Sequence, residues 1–341
     1  MSSTPPVSDK NTKQIPSNHA VALCPNFLVE TKRQRTRFSK VNNTPMEQQK
    51  NKHLTDLVPP PTKWNILNLG AGVQSSTLAL MAATGELGPA LDAAVFADTQ
   101  AEPDSVYRWL DWLEGEINRS KHPFPVYRVT KGSLTEDSLS VRISKAGNER
   151  MPRIIPMFGI TPEGKKTAAL GRSCTRDYKI RMILKKIKKL CSKKYGQKET
   201  TITQWIGISY DEMQRMKSSA FPWTQHRWPL IELRMRRADC IKWMLDHGYP
   251  EPPRSACVYC PFHSDSEWRR LRDDEPHEFE KAVLFDKTLR EAHAIHNKNF
   301  RMKVYLHRSC KPLSEIDFNS DKQDPQQVWD FQSECEGMCG V

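Results

Sequence analysis

The sequence contains no run of about 18 apolar residues, the length that a membrane-spanning helix requires. Its first residues are polar, and they include no apolar stretch followed by small residues of the kind that marks a secretory signal. We therefore expect a cytoplasmic protein with no membrane partner. In that reducing compartment the nine cysteines are expected to be thiols or metal ligands rather than disulfides.

Acidic residues are also in short supply. The chain has 40 Asp and Glu against 52 Lys and Arg, which gives a formal net charge of +12. This excess favours a polyanionic partner, with nucleic acid (DNA or tRNA) as the first candidate. Basic residues are densest between residues 172 and 198, where Asp177 is the only acid. A solvated lysine-rich helix explains that segment equally well.

The first 62 residues lack a sustained hydrophobic period and are rich in Ser, Thr, Asn, Gln, Lys and Pro. This composition is typical of a disordered basic tail, because too little apolar surface is available to offset the entropy of ordering. The tail is expected to end in the stiff turn at Pro59, Pro60 and Pro61.

From Trp64 onward, short apolar runs alternate with amphipathic stretches. The pattern predicts strands over 65–69, 93–97, 126–129 and 201–206, and helices over 75–83, 105–117 and 178–194. Such alternation is typical of an α/β fold, a parallel twisted sheet flanked by helices. We predict a nucleotide-binding domain over 63–217, with an insertion or mobile loop at about 135–166. A helical, cysteine-rich region is predicted over 218–341, with helices over 235–246, 264–272 and 276–296.

The most informative segment joins the first predicted strand to the first predicted helix. Small residues there let the backbone approach a ligand closely, and the first amides of a helix have no intrahelical partners. This arrangement suits a phosphate. The candidate nucleotide-binding residues in the segment are Gly70, Ala71, Gly72, Gln74, Ser75 and Ser76.

Two other strand ends carry polar residues that we expect at the same edge of the sheet. Asp98 and Thr99 follow the second predicted strand, and Gly207 follows the fourth. Ligands of parallel sheets gather at the carboxyl ends of the strands. Arg215 lies shortly after Gly207 and is a candidate for a phosphate or sulfate group.

Cysteine spacing is the second strong signal. A Cys-x-x-Cys pair, Cys257 and Cys260, precedes Pro261, and Cys174 lies in a basic segment upstream. Three thiolates can hold an iron–sulfur cluster, and a fourth from Cys335 or Cys339 would equally suit a tetrahedral zinc. Unliganded buried cysteines are the remaining interpretation.

Taken in order, these motifs resemble the phosphoadenylyl-sulfate (PAPS) reductase family. That family belongs to the PP-loop ATP pyrophosphatase superfamily, which is also called adenine nucleotide alpha-hydrolase-like. The family loop usually reads Ser-Gly-Gly-x-Asp-Ser, and here Gln74 stands in place of the Asp. The family's Asp-Thr-Gly and Glu are matched by Asp98, Thr99 and Glu102. Its Glu-Cys-Gly tail is similar to the segment around Cys335, although Glu336 interrupts it and Cys339 adds a thiol.

The resemblance implies an enzyme that binds ATP or PAPS, with magnesium as a further cofactor. It implies a [4Fe–4S] cluster on Cys174, Cys257 and Cys260, with zinc as the alternative metal. In one version Cys335 attacks the sulfur of a sulfonucleotide, and an external thiol reductant restores the enzyme. In the other, ATP activates a position of DNA or tRNA, and sulfur replaces oxygen there.

A hypothesis of a different class is a catalytically inactive nucleic-acid-binding protein with a structural zinc. Gln74 favours it, because the loop lacks the usual Asp. Cys335 and Cys339 are candidate catalytic thiols in the enzymatic hypothesis, and metal ligands or a redox pair in the other interpretations.

Overall fold

Five parallel strands form the central sheet of this computed structural model, which describes residues 58–145, 147–192, 199–297 and 301–319. The strands of the described chain are β1 (Trp64–Leu69), β2 (Ala93–Asp98), β3 (Val126–Thr130), β4 (Arg142–Ile143), β5 (Glu149–Arg150), β6 (Met157–Ile160), β7 (Lys166–Leu170), β8 (Ile202–Ile206), β9 (Thr224–Arg227) and β10 (Lys303–Tyr305). The α-helices are α1 (Val73–Thr84), α2 (Asp104–Arg119), α3 (Leu134–Leu139), α4 (Arg181–Leu190), α5 (Pro229–Glu232), α6 (Arg237–Asp246), α7 (Asp265–Asp274) and α8 (Pro276–His296).

The strand order in the central sheet is β3-β2-β1-β8-β9, and all four neighbouring pairs are parallel. The predicted α/β fold with a parallel sheet is therefore confirmed. The chain builds the sheet outward from β1 to β3, then returns to the other side of β1 to place β8 and β9. The order thus reverses between β1 and β8, and such a point opens a crevice at the carboxyl ends of the two strands.

Apolar side chains of β1 point to both faces of the sheet. Leu67 and Leu69 pack into one core cluster together with residues of α1, α2 and α6. Ile66 packs on the opposite face, against Ile183 and Ile187 of α4. Burying one such side chain contributes about 1.5–3 kcal/mol. This two-sided burial explains why the strand is apolar along nearly its whole length.

A second core lies in the C-terminal part of the described chain. Helices α7 and α8 enclose Trp268, Leu271 and Phe285 together with Val304 of β10. Strand β10 pairs antiparallel with β6, which also pairs with β7. Helices are present over much of 229–296, whereas the cysteine-bearing tail lies outside the described residues.

The segment 135–166 is not simply a loop. It holds most of α3, the two-stranded β4–β5 hairpin and all of β6. Its strands are two to four residues long, too short to produce a hydrophobic period in the sequence. Strand β9 was not predicted either, because its four residues, Thr-Gln-His-Arg, include no apolar side chain.

The helix predicted over 178–194 begins as a π-helical turn at Thr175–Ile180 and continues as α4. The boundary of the predicted tail, residue 62, falls just inside the described residues, and almost all of the tail lies outside them. No helix in the described ranges is long and apolar enough to cross a membrane.

Candidate functional site

The loop between β1 and α1 lies at the point where the strand order reverses. Ala71 has a positive φ of 60°, and Gly72 is the N-cap of α1. The Ser75 hydroxyl accepts a hydrogen bond from the Gly70 amide (3.1 Å) and donates to the Gly72 carbonyl (3.4 Å). Gly72 has no side chain to cap the first-turn amides of α1. These amides are therefore available to an anion.

Gly207, directly after β8, packs against the start of α1. A Cβ at this position would lie 3.0 Å from the backbone nitrogen of Ser75 and 3.1 Å from its Cα. Any larger residue would push the helix start away from the strand end. The two strand ends beside the reversal point are thus held together at a place where only glycine fits.

Gln74 is buried and bridges two charged side chains beside the loop. Its Nε2 lies 3.3 Å from Oε2 of Glu212, and its Oε1 accepts from Arg237 (3.0 Å). Arg215 pairs with the same Glu212 at 2.6 Å. An aspartate at position 74 would face Glu212 with a like charge, whereas the amide donates to one partner and accepts from the other. This network explains why this loop carries glutamine.

The side chain of Ser76 faces away from the crevice. Its hydroxyl accepts a hydrogen bond from the Trp109 indole at 3.0 Å, and both side chains are buried between α1 and α2. Ser76 therefore fixes the position of α1. Its hydroxyl is thus engaged within the core, and the prediction that Ser76 contributes to nucleotide binding stays a prediction.

Asp98 is the last residue of β2, and Thr99 follows it. This strand end lies beside the Cys-x-x-Cys turn in space. Asp98 accepts hydrogen bonds from the Gln100 amide (2.7 Å) and the Tyr107 hydroxyl (2.8 Å). Burial raises the pKa of Tyr107, and this hydrogen bond raises it further. Thr99 Oγ1 lies 3.4 Å from Sγ of Cys257. The end of β2 and the Cys-x-x-Cys turn are therefore adjacent.

A buried ion pair supports this junction. Glu102 has a fully buried side chain and pairs with Lys179, whose Nζ lies 3.2 Å from Oε1. Ser255 donates to the other carboxylate oxygen at 3.4 Å. Sγ of Cys257 lies 3.9 Å from Glu102 Oε1. Burial raises the pKa of the Cys257 thiol well above its usual range, and the Glu102 carboxylate raises it further.

The turn itself is closed by local hydrogen bonds. The Cys260 amide donates to the Cys257 carbonyl at 2.9 Å. His263 Nε2 lies 3.0 Å from the same carbonyl oxygen, and burial lowers the pKa of His263 to about 3. The ring is therefore neutral and donates from Nε2 to the carbonyl.

The three predicted metal ligands are Cys174, Cys257 and Cys260. Cys257 and Cys260 share the turn, and Cys174 and Cys257 pack against the same core cluster. No three His, Cys, Asp or Glu side chains in the described ranges form a group that could hold a metal ion. Cys335 and Cys339 lie outside the described residues.

Comparison with known proteins returns no match, neither to a protein-family model nor to a curated protein. The likeness to PAPS reductases therefore rests on the motifs described above.

Sequence reasoning missed several residues of this site. Ser255 and His263 act through contacts with Glu102 and the Cys257 carbonyl, and nothing local in the sequence marks those contacts. The Glu102–Lys179 pair joins positions 77 residues apart. The sequence around Glu102, in the turn between β2 and α2, does not indicate that Lys179 is its partner.

A second cleft, of about 360 Å³, is strongly basic. Arg142, Arg150 and Arg153 line it together with His293 and Asn297, and none of the described lining residues is acidic. Arg142 and Arg150 are exposed and lie directly opposite each other in the β4–β5 hairpin. Like charges in that position repel, so a bound anion would relieve the repulsion.

Proposed function

We propose that this chain binds an adenine nucleotide at the loop 70–76 and performs sulfur chemistry at the adjoining cysteines. The observation that carries the proposal is the junction at the carboxyl edge of the sheet. There Gly207 packs against Ser75, and Thr99 touches Cys257. An anion cradle and a thiol are thus set at neighbouring strand ends.

The reaction is either sulfonucleotide reduction or sulfur transfer. In the reduction, a Cys335 thiolate attacks the sulfur of the sulfonucleotide, breaks the bond between that sulfur and the 5′-phosphate oxygen and forms a thiosulfonate. The leaving group is AMP from adenylyl sulfate, or adenosine 3′,5′-bisphosphate from PAPS. A second thiol then attacks the Cys335 sulfur and frees sulfite, leaving a disulfide that an external thiol reduces. In the transfer, an oxygen of a nucleic acid attacks the α-phosphate of ATP and pyrophosphate leaves. A sulfur nucleophile then displaces the adenylated oxygen, which leaves as AMP.

Isothermal titration calorimetry tests nucleotide binding. We expect ATP, adenylyl sulfate or its 3′-phosphorylated form to bind with one site per chain, while GTP binds more weakly. Failure of all three adenine nucleotides to bind would remove the proposal. Sulfite release from the sulfonucleotide, lost in Cys335→Ser, would select reduction over transfer.

Metal content is a separate part of the proposal. The family resemblance assigns a [4Fe–4S] cluster, or zinc, to Cys174, Cys257 and Cys260. Iron, acid-labile sulfide and zinc measured on anaerobically purified protein test the assignment. Cys257→Ser should lower the bound metal if these thiols are ligands, whereas Cys240→Ser, which changes a buried cysteine of the first core, should leave it unchanged.

The arginine-lined cleft favours a nucleic acid as the sulfur acceptor. Arginine forks pair well with phosphates, and each neutralised phosphate steepens the salt dependence of binding by about 0.9. We expect Arg142→Gln/Arg150→Gln to reduce the slope of log affinity against log salt by about 2 for DNA or tRNA. The control, Arg119→Gln/Arg272→Gln, removes the same charge elsewhere. Equal slopes for the two double variants would contradict this role.

A second candidate function is nucleic-acid binding without catalysis. The observation that favours it is the satisfied network of Gln74, Glu212 and Arg237 beside the loop. Under this alternative, the protein binds DNA or tRNA through the basic cleft but produces neither AMP nor pyrophosphate from ATP. Release of either product by wild-type protein, and not by Gly207→Ala, would exclude it.

A further inference from the structure

Helix α4 carries a row of basic side chains on its exposed side. The members of this basic row are Arg181, Lys185, Lys188 and Lys189, all of them exposed. Spacings of three and four residues place them on one face, which is about 12 Å long. The opposite face is apolar, and its Ile183 and Ile187 are buried against the central sheet. Packing of the apolar face therefore turns the basic row toward solvent.

Acidic side chains do not neutralise the basic row. Asp177 lies 3.3 Å from the guanidinium of Arg181, but it is shared with Arg176. The three lysines of the row form no ion pair with any described residue. Lys185 lies three or four residues from every other member, and like charges at these spacings destabilise a helix. A bound polyanion would remove this repulsion.

An exposed aromatic ring lies beside the basic row. Phe221 is 38% exposed and lines a small cavity together with Leu184 of α4. Its ring centroid is 5.9 Å from that of Trp223, and Nζ of Lys188 lies 5.2 Å from the Trp223 centroid. An aromatic face and an ammonium group thus share one surface. They suit a ligand that has both flat rings and negative charge.

These two features together favour a single strand of nucleic acid as the ligand. Its phosphates supply the negative charge, and its bases have open faces that stack on aromatic side chains. In a duplex the base faces are covered by the neighbouring base pairs, so the ring of Phe221 would have none to contact. An acidic peptide segment supplies charge without a regular series of flat rings.

The basic row also begins beside the candidate site. Cys174 is the N-cap of the π-helical turn Thr175–Ile180, and α4 continues directly from that turn. Lys179, within the turn, pairs with Glu102, whose Oε1 lies 3.9 Å from Sγ of Cys257. A strand that lies along α4 therefore reaches the cysteine junction at the first turn of the helix.

We propose that the exposed face of α4 and the ring of Phe221 bind single-stranded nucleic acid. The lysines contact its phosphates, and one base stacks on Phe221. The inference rests on the nucleic-acid version of the proposed function, and it names the form of the acceptor and the surface that leads it to the cysteines.

Fluorescence anisotropy tests the single-strand preference with a labelled DNA strand of about 12 nucleotides, free or annealed to its complement. Wild-type protein should bind the free strand at least about fivefold more tightly than the duplex, the effect of one base stacked on an aromatic ring. Phe221→Leu should lose this preference and leave duplex affinity unchanged. Leu284→Ala, which shortens another exposed apolar side chain, should keep it.

Salt dependence tests the basic row. Each phosphate contact on a single strand contributes about 0.7 to the slope of log affinity against log salt, so Lys185→Gln/Lys188→Gln/Lys189→Gln should reduce the slope by about 2. The control, Lys165→Gln/Lys287→Gln/Lys303→Gln, removes the same charge from exposed positions of the C-terminal part and of the β6–β7 turn. Thermal melting of each variant reports whether it folds.

Equal slopes for the two triple variants, a duplex or polyglutamate that binds as tightly as the single strand, or an unchanged preference in Phe221→Leu would each overturn the inference. The triple variant of α4 should keep wild-type ATP affinity. Gly207→Ala should lose ATP binding yet keep the single-strand preference. Failure of the nucleotide loop and failure of the α4 surface are therefore observed separately.

Discussion

Replacing Gly207 with alanine perturbs the candidate nucleotide site by a single methyl group. The added Cβ would lie 3.0 Å from the nitrogen, 3.1 Å from Cα and 3.2 Å from Cβ of Ser75. Carbon atoms pack best at about 3.5–4.0 Å, so the start of α1 and the end of β8 have to separate by about 0.5 Å. Overpacking of this kind costs about 1–3 kcal/mol of unfolding free energy.

The same displacement moves the first-turn amides of α1 away from a bound phosphate. Loss of one charge-assisted hydrogen bond lowers nucleotide affinity by at least about tenfold. Calorimetric titration of ATP and urea unfolding measure the two effects. Gly88→Ala is the control, because its Cβ would meet no atom within 4 Å. Wild-type affinity in Gly207→Ala, with its α1 still folded, would refute the assignment of the loop as the phosphate site.

Two other predictions concern buried charge. Lys179→Met leaves the Glu102 carboxylate buried without its cation and should lower the free energy of unfolding in urea by about 3–5 kcal/mol. The double variant Lys179→Met/Glu102→Gln should recover part of that loss. A loss below about 1 kcal/mol in Lys179→Met would contradict the role of the pair. Burial lowers the pKa of His226, so as the pH falls the unfolded chain takes up a proton near about pH 6.5, before the folded ring does. Unfolding free energy should therefore fall between pH 7 and 5, and less so in His226→Gln; an identical fall in both proteins would show that His226 does not contribute.

The central sheet could be predicted because its inner strands β1, β2 and β8 are buried on both faces. Short, mostly apolar runs such as 65–69 and 93–97 are separated by helical stretches, and this alternation is a local property of the sequence. The observed bounds of β1 and β2 differ from the predicted ones by one residue. Strand β9 escaped prediction because its pairing with β8, rather than its own side chains, defines it.

The candidate site could be predicted only in part, for a related reason. Backbone features such as the loop at 70–72 and the close approach of Gly207 leave a local mark, since they require small residues. Side-chain partners do not. Nothing near Gln74 in the sequence indicates Glu212 or Arg237.

The cysteines also show that spacing along the sequence predicts only part of the arrangement of side chains. A Cys-x-x-Cys pair predicts that two thiols share a turn, and the structure places Cys257 and Cys260 in one. The distance of a third thiol depends on how the π-helical turn after Cys174 packs, which its spacing along the chain does not specify. Metal content therefore has to be measured rather than inferred from the motif.

Hydrogen–deuterium exchange with and without ATP tests the central claim most directly, because it reports on the backbone amides that would hold the phosphates. Peptides covering residues 70–76 and 207–209 should become protected when the nucleotide binds, whereas peptides from α7, in the second core, should not change. ATP binding without protection of residues 70–76 would place the nucleotide elsewhere and contradict the account.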